Sequence, residues 1–165
     1  MQLFVLDYDP EKAAVSLCDV HLRKMCLETA QILSGVLFLQ GKERLTSMPR
    51  AYHVRHPVVL AVNTPEKINW VILYNEALHR EYFRRFGKNH VYASLCGNYR
   101  FLLYVPGKVL SPELLDFFRD FRGVEITEND LVQAYRCYYR FKKTQLHRWN
   151  YTASVEPQWL ENEPF

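Results

Sequence analysis

The apolar residues in the first quarter of the chain recur at the spacing of one long amphipathic helix. Asp9 followed by Pro10 is typical of a helix N-cap and its first helical residue. The pattern predicts a helix from this point to about Leu39, ending before Gly41. The apolar run that precedes it, residues 2–6, can form a short strand.

Three further helices are predicted along the rest of the chain. They run from Thr64 to just before Gly87, from Ser111 to about Phe121, and from Thr127 to about Trp149. Thr127 with Asp130 three residues later resembles a capping box. Residues 41–63 and 88–110 predict irregular loops, with Val58–Val62 as a short strand or a buried turn. The sequence therefore predicts a mainly α fold of packed helices, with a long N-terminal helix and at most a minor short-strand element.

The composition is that of an ordinary globular protein. The 165 residues suit a single domain, residues 1–165, and hydrophobic residues make up 48% of them. No apolar run reaches the length of a membrane span and no N-terminal signal pattern is present, so we expect no membrane partner. The four cysteines form no CxxC pair, which favours buried free thiols over disulfides or zinc ligands. We expect a cytoplasmic protein of a bacterial or phage-infected cell.

Polar side chains interrupt the apolar face of the first predicted helix. Glu28 lies about 20° from His21 around the helix axis, and Lys24 lies about 60° away on the same side. An imidazole and a carboxylate in an apolar stripe are costly unless they have partners or a use. The pair offers either a base with an orienting carboxylate or a hydrogen-bonded pair that only fixes helix packing.

A second candidate site lies in the irregular segment between the first two long helices. Arg55 and His56 are candidate contacts for a phosphate or a base, because loops often carry binding groups. A zinc site there would need remote ligands such as Cys96 and His90. We therefore predict no metal and no cofactor.

A third candidate is a basic face on the last predicted helix. Its cations recur at spacings of four, three and four residues, at positions Arg136, Arg140, Lys143 and His147. Aromatic residues, including Trp149, are interleaved with them. Cations that bind phosphates, together with rings that stack on bases, are typical of nucleic-acid-binding surfaces. A solvated amphipathic helix with aromatic core residues produces the same pattern.

Motifs in these segments resemble two sets of proteins. Asp19-Val20-His21-Leu22, followed by Glu28 seven residues after the His, resembles the first-helix motif of the bacteriophage pyrimidine-dimer DNA glycosylase (endonuclease V) family. The chain is more similar to a set of uncharacterised phage-borne proteins. That similarity spans most of the chain and rests on residues 18–33, His56-Pro57, Asn69-Trp70 and Ala134-Tyr135-Arg136. It brings no established activity.

The glycosylase resemblance implies a concrete chemistry. Such an enzyme displaces a base from DNA and attacks the sugar C1′ with its N-terminal amine, and elimination from the resulting Schiff base can then nick the strand. A terminal amine has a pKa of about 7.7–8.0, so an appreciable fraction of it is neutral and nucleophilic near pH 7. The resemblance implies that Glu28 assists by electrostatics and proton transfer and that His21 lines the site.

The chain departs from the family pattern at two positions. The family exposes its nucleophile by removal of the initiator Met, but Gln2 is too large for that removal to be expected, so the amine is that of Met1. The family also has an Arg just before its Glu, where this chain has Leu27. Lys24 can supply the missing charge, or the reacting amine itself, from the same helix face.

Together these observations predict a DNA-binding enzyme of the base-excision type. It would be an N-glycosylase, with or without Schiff-base AP lyase activity, that acts on damaged or modified bases. The predicted catalytic residues are Glu28, His21, Lys24 and Met1, and the predicted substrate contacts are Arg55, His56, Asn69, Arg136, Arg140, Lys143 and Trp149. The alternatives are a non-catalytic nucleic-acid-binding module, an enzyme acting on nucleotides or modified DNA bases, and a host-interaction protein.

Overall fold

The computed structural model describes residues 1–51, 53–104, 119 and 121–160. These residues form α-helices and short 3-10 helices and contain no strand, which confirms the predicted mainly α fold. The α-helices are α1 (Pro10–Val15), α2 (Asp19–Leu39), α3 (Pro57–Ala61), α4 (Pro65–Phe86), α5 (Cys96–Leu103) and α6 (Leu131–Gln145), and the 3-10 helices are Ala93–Leu95 and Gln158–Leu160. Within the described ranges, no helix is both long enough and apolar enough to cross a membrane.

The N-terminal segment is extended and buried. Residues 2–6 each expose no more than 3% of their surface, although they form no strand. The segment leads into α1, whose first turn is capped by the Asp9 side chain as predicted. Because this segment lies inside the core, the position of Met1 relative to the helices is fixed by packing.

The prediction of one continuous N-terminal helix is wrong, because the chain breaks between α1 and α2. Arg85 on α4 donates from its guanidinium to the carbonyl oxygens of Val15 (2.9 Å) and Leu17 (2.8 Å). The backbone N–H of Cys18 donates to the Tyr139 hydroxyl at 2.9 Å. Side chains from α4 and α6 thus satisfy backbone groups that a continuous helix would pair internally.

Arg85 is also the centre of a buried ionic network. Its side chain is 0% exposed and donates to Glu81 Oε1 (2.6 Å) and Asp19 Oδ1 (3.1 Å). Asp19 also accepts hydrogen bonds from the backbone and hydroxyl of Thr152. Burial alone would raise the pKa of Asp19, but the hydrogen bonds from Thr152 and Arg85 outweigh it and lower the pKa. The network joins α2, α4 and the C-terminal segment.

Replacing Arg85 by Met should destabilise the protein by about 3–5 kcal/mol, because buried Asp19 loses its ion-pair partner and buried Glu81 keeps only the half-exposed Arg84. The matched control is Arg84→Met. Arg84 also binds Glu81, but its side chain is 49% exposed, so a loss of at most about 1 kcal/mol is expected. Urea unfolding of both variants measures the difference. Equal losses would argue against a special role for the buried cation.

Three other predicted elements differ from the observed ones. The predicted strand or turn at Val58–Val62 is helix α3, with His56 as its N-cap, and the predicted loop 88–110 contains α5. Thr127 does not cap the last helix, because Asp130 is the N-cap and accepts from Gln133 N–H. That helix ends at Gln145 rather than near Trp149. The predicted helix at 111–121 lies mostly outside the described residues.

Candidate active site

The N-terminus meets α2 at Glu28. The backbone N–H of Gln2 donates to Glu28 Oε2 at 2.9 Å, and Glu28 is only 9% exposed. Covalent geometry places the Met1 nitrogen at most about 3.7 Å from the Gln2 nitrogen, and so within about 6.6 Å of that carboxylate oxygen. Arg122 also contacts Met1, because its guanidinium donates to the Met1 carbonyl oxygen at 3.1 Å.

His56 contacts the Met1 amine directly. Its Nε2 lies 3.4 Å from the amine nitrogen, while its Nδ1 accepts a hydrogen bond from Val58 N–H at the start of α3. This second bond assigns the tautomer of the neutral ring, because an accepting Nδ1 leaves the proton on Nε2.

Three cations surround this corner of the protein, and we call them the cationic cluster: Lys24, Arg122 and Lys142. The Lys24 Nζ lies 3.6 Å from Glu28 Oε1, and its side chain is 52% exposed. Burial lowers the pKa of Lys142, and the charges of Lys24 and Arg122 lower it further. The effect of Lys24 and Arg122 on Lys142 indicates that like charges are gathered close together, which suits a polyanionic ligand.

His21 lies in an aromatic cage beside this corner. Its ring contacts Phe4, Tyr139 and Trp149, and its Nδ1 lies 3.0 Å from the Tyr139 hydroxyl. Burial lowers the pKa of His21 to about 3, helped by the charges of Lys24 and Lys142, so the ring is neutral at pH 7. No hydrogen bond among the described residues joins it to Glu28. The two side chains therefore share a helix face without forming a pair.

The predicted substrate contacts are scattered. Arg55 is exposed and Asn69 is buried in the first turns of α4. On α6, three predicted contacts have partners inside the protein: Arg136 binds the Leu6 carbonyl and Asp7, Arg140 binds the Trp159 carbonyl, and Lys143 forms an ion pair with Glu156. These residues hold the N-terminal and C-terminal segments against α6. Their contact with DNA stays a prediction.

Sequence reasoning did not assign Arg122 or Lys142 to this site. Arg122 lies in a turn with φ 48° and belongs to no periodic pattern, so no sequence signal pointed to it. Lys142 lies in the basic run of α6 but about 100° away from the face that the spacing selects. Its place beside Lys24 depends on how α6 packs against α2.

The comparisons with known proteins found one family. A family model described as pyrimidine dimer DNA glycosylase matches residues 1–93. No curated protein and no solved structure matches the chain. The matched residues span α1 to α4 and include Met1, His21, Glu28 and His56, whereas Arg122 and Lys142 lie beyond them.

Proposed function

The chain belongs to the pyrimidine dimer DNA glycosylase family, and from this premise we propose that it excises dimerised pyrimidines through a Schiff base formed on the Met1 amine. Membership gives a function of the DNA glycosylase type, with DNA as the substrate. The dimer as target, the covalent intermediate and the strand cleavage that follows are our proposals.

One observation supports the choice of nucleophile. The hydrogen bond of 2.9 Å from Gln2 N–H to Glu28 Oε2 brings the chain terminus to the carboxylate that the family motif marks. His56 contacts the same amine through its Nε2, at 3.4 Å. An amine, which attacks in its neutral form, and a nearby carboxylate are the two groups that an imine-forming reaction needs, a nucleophile and a proton carrier.

The proposed reaction begins with base displacement, which costs a few kcal/mol and is least costly for a damaged base. The amine lone pair of Met1 forms a bond to C1′ while the glycosidic C–N bond breaks, and the leaving base takes up a proton from solvent. Glu28 accepts a proton from the attacking nitrogen. It returns the proton to O4′ as the C1′–O4′ bond breaks, which opens the sugar ring and leaves the protonated imine.

The proposed lyase step follows from that imine. Loss of a proton from C2′ expels the 3′ phosphate oxygen and cuts the strand. Water then hydrolyses the imine, which releases the sugar aldehyde and restores the Met1 amine. We assign the proton transfers of both steps to Glu28, while His21 in its aromatic cage orders the wall formed by Phe4 and Trp149.

Borohydride trapping tests the proposal. Wild-type protein is mixed with a duplex that carries one pyrimidine dimer, with a duplex that carries one abasic site, and with an undamaged duplex, each in the presence of sodium borohydride. We expect a denaturant-stable adduct with the first two duplexes and none with the third. An adduct with the abasic duplex alone would refute the dimer as target. Bound DNA without any adduct would refute the Schiff base.

We also propose that the cationic cluster binds the DNA backbone, and two neighbouring lysines on α6 test this. Lys142→Gln should weaken DNA binding and reduce the slope of log K against log salt concentration by about 1, because one phosphate contact is lost. Lys143→Gln should change the slope less, because Glu156 already pairs with Lys143. Fluorescence anisotropy over a salt series measures both slopes. A larger change of slope for Lys143→Gln than for Lys142→Gln would favour DNA binding by the basic face of α6 that the sequence predicts.

A further inference from the structure

A second cluster of reactive side chains lies away from the Met1 corner. The donor atoms of Cys26 on α2, His79 on α4 and His90 in the segment after α4 all lie within 4.8 Å of one another. Cys26 is about 160° from Glu28 around the α2 axis, so the two residues face different parts of the molecule. The cluster therefore has no part in the proposed glycosylase chemistry.

His79 is the unusual member of this cluster. It is 6% exposed, and neither of its ring nitrogens has a hydrogen-bond partner in the part of the chain that the structure describes. A buried polar group without a partner is costly and rare in native proteins. The His90 ring lies 5.4 Å from the His79 ring, between their centroids, without a hydrogen bond between them.

We propose that Cys26, His79 and His90 bind a zinc ion through one thiolate and two imidazoles. Zinc takes sulfur at about 2.3 Å and nitrogen at about 2.0–2.1 Å in tetrahedral geometry. Donor atoms in such a site are about 3.3–3.7 Å apart, so the observed cluster closes onto the ion with shifts of about 1 Å. Mixed thiolate and imidazole ligands select zinc over magnesium and calcium, which prefer oxygen.

The fourth zinc ligand is a water molecule. His79 also lines a cavity of about 400 Å³, so solvent lies beside the cluster. Coordination replaces the Cys26 S–H bond by a sulfur–zinc bond and releases one proton to solvent. The ion would join α2, α4 and the segment after Gly87, which has no regular structure of its own near His90. Its role is to fix that segment against the two central helices.

Cobalt substitution of the untagged full-length protein tests the proposal. Co²⁺ is titrated into chelator-treated protein, and zinc is then added in competition. We expect one equivalent of Co²⁺, the intense visible bands of a tetrahedral ion, a thiolate-to-cobalt charge-transfer band in the near ultraviolet, and displacement by zinc. Cys26→Ser should abolish the charge-transfer band and weaken binding by on the order of 100-fold or more, since even loss of an outer partner costs about 10–100-fold.

Cys137→Ser is the matched control, because Cys137 is a free cysteine on α6 outside the cluster, and this variant should bind Co²⁺ as the wild type does. His90→Asn, at a half-buried position, should weaken binding while keeping the charge-transfer band, and it replaces Cys26→Ser if that variant does not fold. Thermal melting checks folding. The absence of tetrahedral Co²⁺ binding, or an unchanged spectrum in both ligand variants, would overturn the proposal.

Discussion

A short peptide fused in front of Met1 should abolish the borohydride-trapped adduct. The Met1 nitrogen would then be an amide, which has no basic lone pair with which to attack C1′. The new terminal amine would be displaced from Glu28 by the length of the peptide, and the buried segment 2–6 prevents the chain from sliding back to compensate. Gel analysis of the trapped adduct should show a complete loss.

The control uses the same protein molecule. A protease site placed so that cleavage leaves Met1 as the first residue should restore the adduct on treatment, and mass spectrometry confirms the free amine. Lys24→Arg, which keeps the charge but removes the other candidate amine, should retain the adduct. Trapping by the fused protein together with loss in Lys24→Arg would identify Lys24 as the nucleophile and refute the role of Met1.

Element boundaries that depend on local signals were predictable from the sequence. Helix α4 begins after Thr64, whose hydroxyl accepts from Lys67 N–H, and ends at Gly87 with φ 64°. Both signals are properties of a few adjacent residues. The break between α1 and α2 is different, because Arg85 and Tyr139 provide its hydrogen bonds from helices far along the chain. No local pattern contains that information.

The face of α2 that carries the site was predictable from the sequence, but the partners of its side chains were not. A helical wheel drawn from the sequence correctly puts His21 and Glu28 on one side of α2, and both are buried there. Seven residues also separate them by about 10.5 Å along the helix axis, which a wheel does not show. They therefore have different neighbours: Tyr139 contacts His21, and Gln2 in the extended N-terminal segment contacts Glu28.

The charges that remain available on the surface were also not predictable from the sequence. Periodicity identifies Arg136 and Lys143 as one basic face, but their counterions, Asp7 and Glu156, come from opposite ends of the chain. Lys142 lies off that face, and its pKa is lowered by its cationic neighbours after burial. Charge balance at a surface depends on tertiary packing, so a basic stripe in a sequence does not identify the side chains that remain available to DNA.

Glu28→Gln should reduce the rate of base release by on the order of 10²–10⁴-fold while leaving DNA affinity nearly unchanged. The reason is that the amide keeps an oxygen that accepts from Gln2 N–H, but it can no longer carry a proton between the attacking nitrogen and O4′. Single-turnover kinetics on a dimer-containing duplex measures the chemical step, and anisotropy measures binding.

Lys24→Gln is the matched control, because it removes the other partner of the same ion pair. Lys24 is half exposed and lies 3.6 Å from Glu28, so loss of the pair should cost well under 1 kcal/mol of stability and leave proton transfer intact. A large fall in rate for Glu28→Gln with little change for Lys24→Gln assigns the proton transfers to the carboxylate. Comparable falls would mean that the charge pair orients the DNA, and normal turnover by Glu28→Gln would exclude the carboxylate from the chemistry altogether.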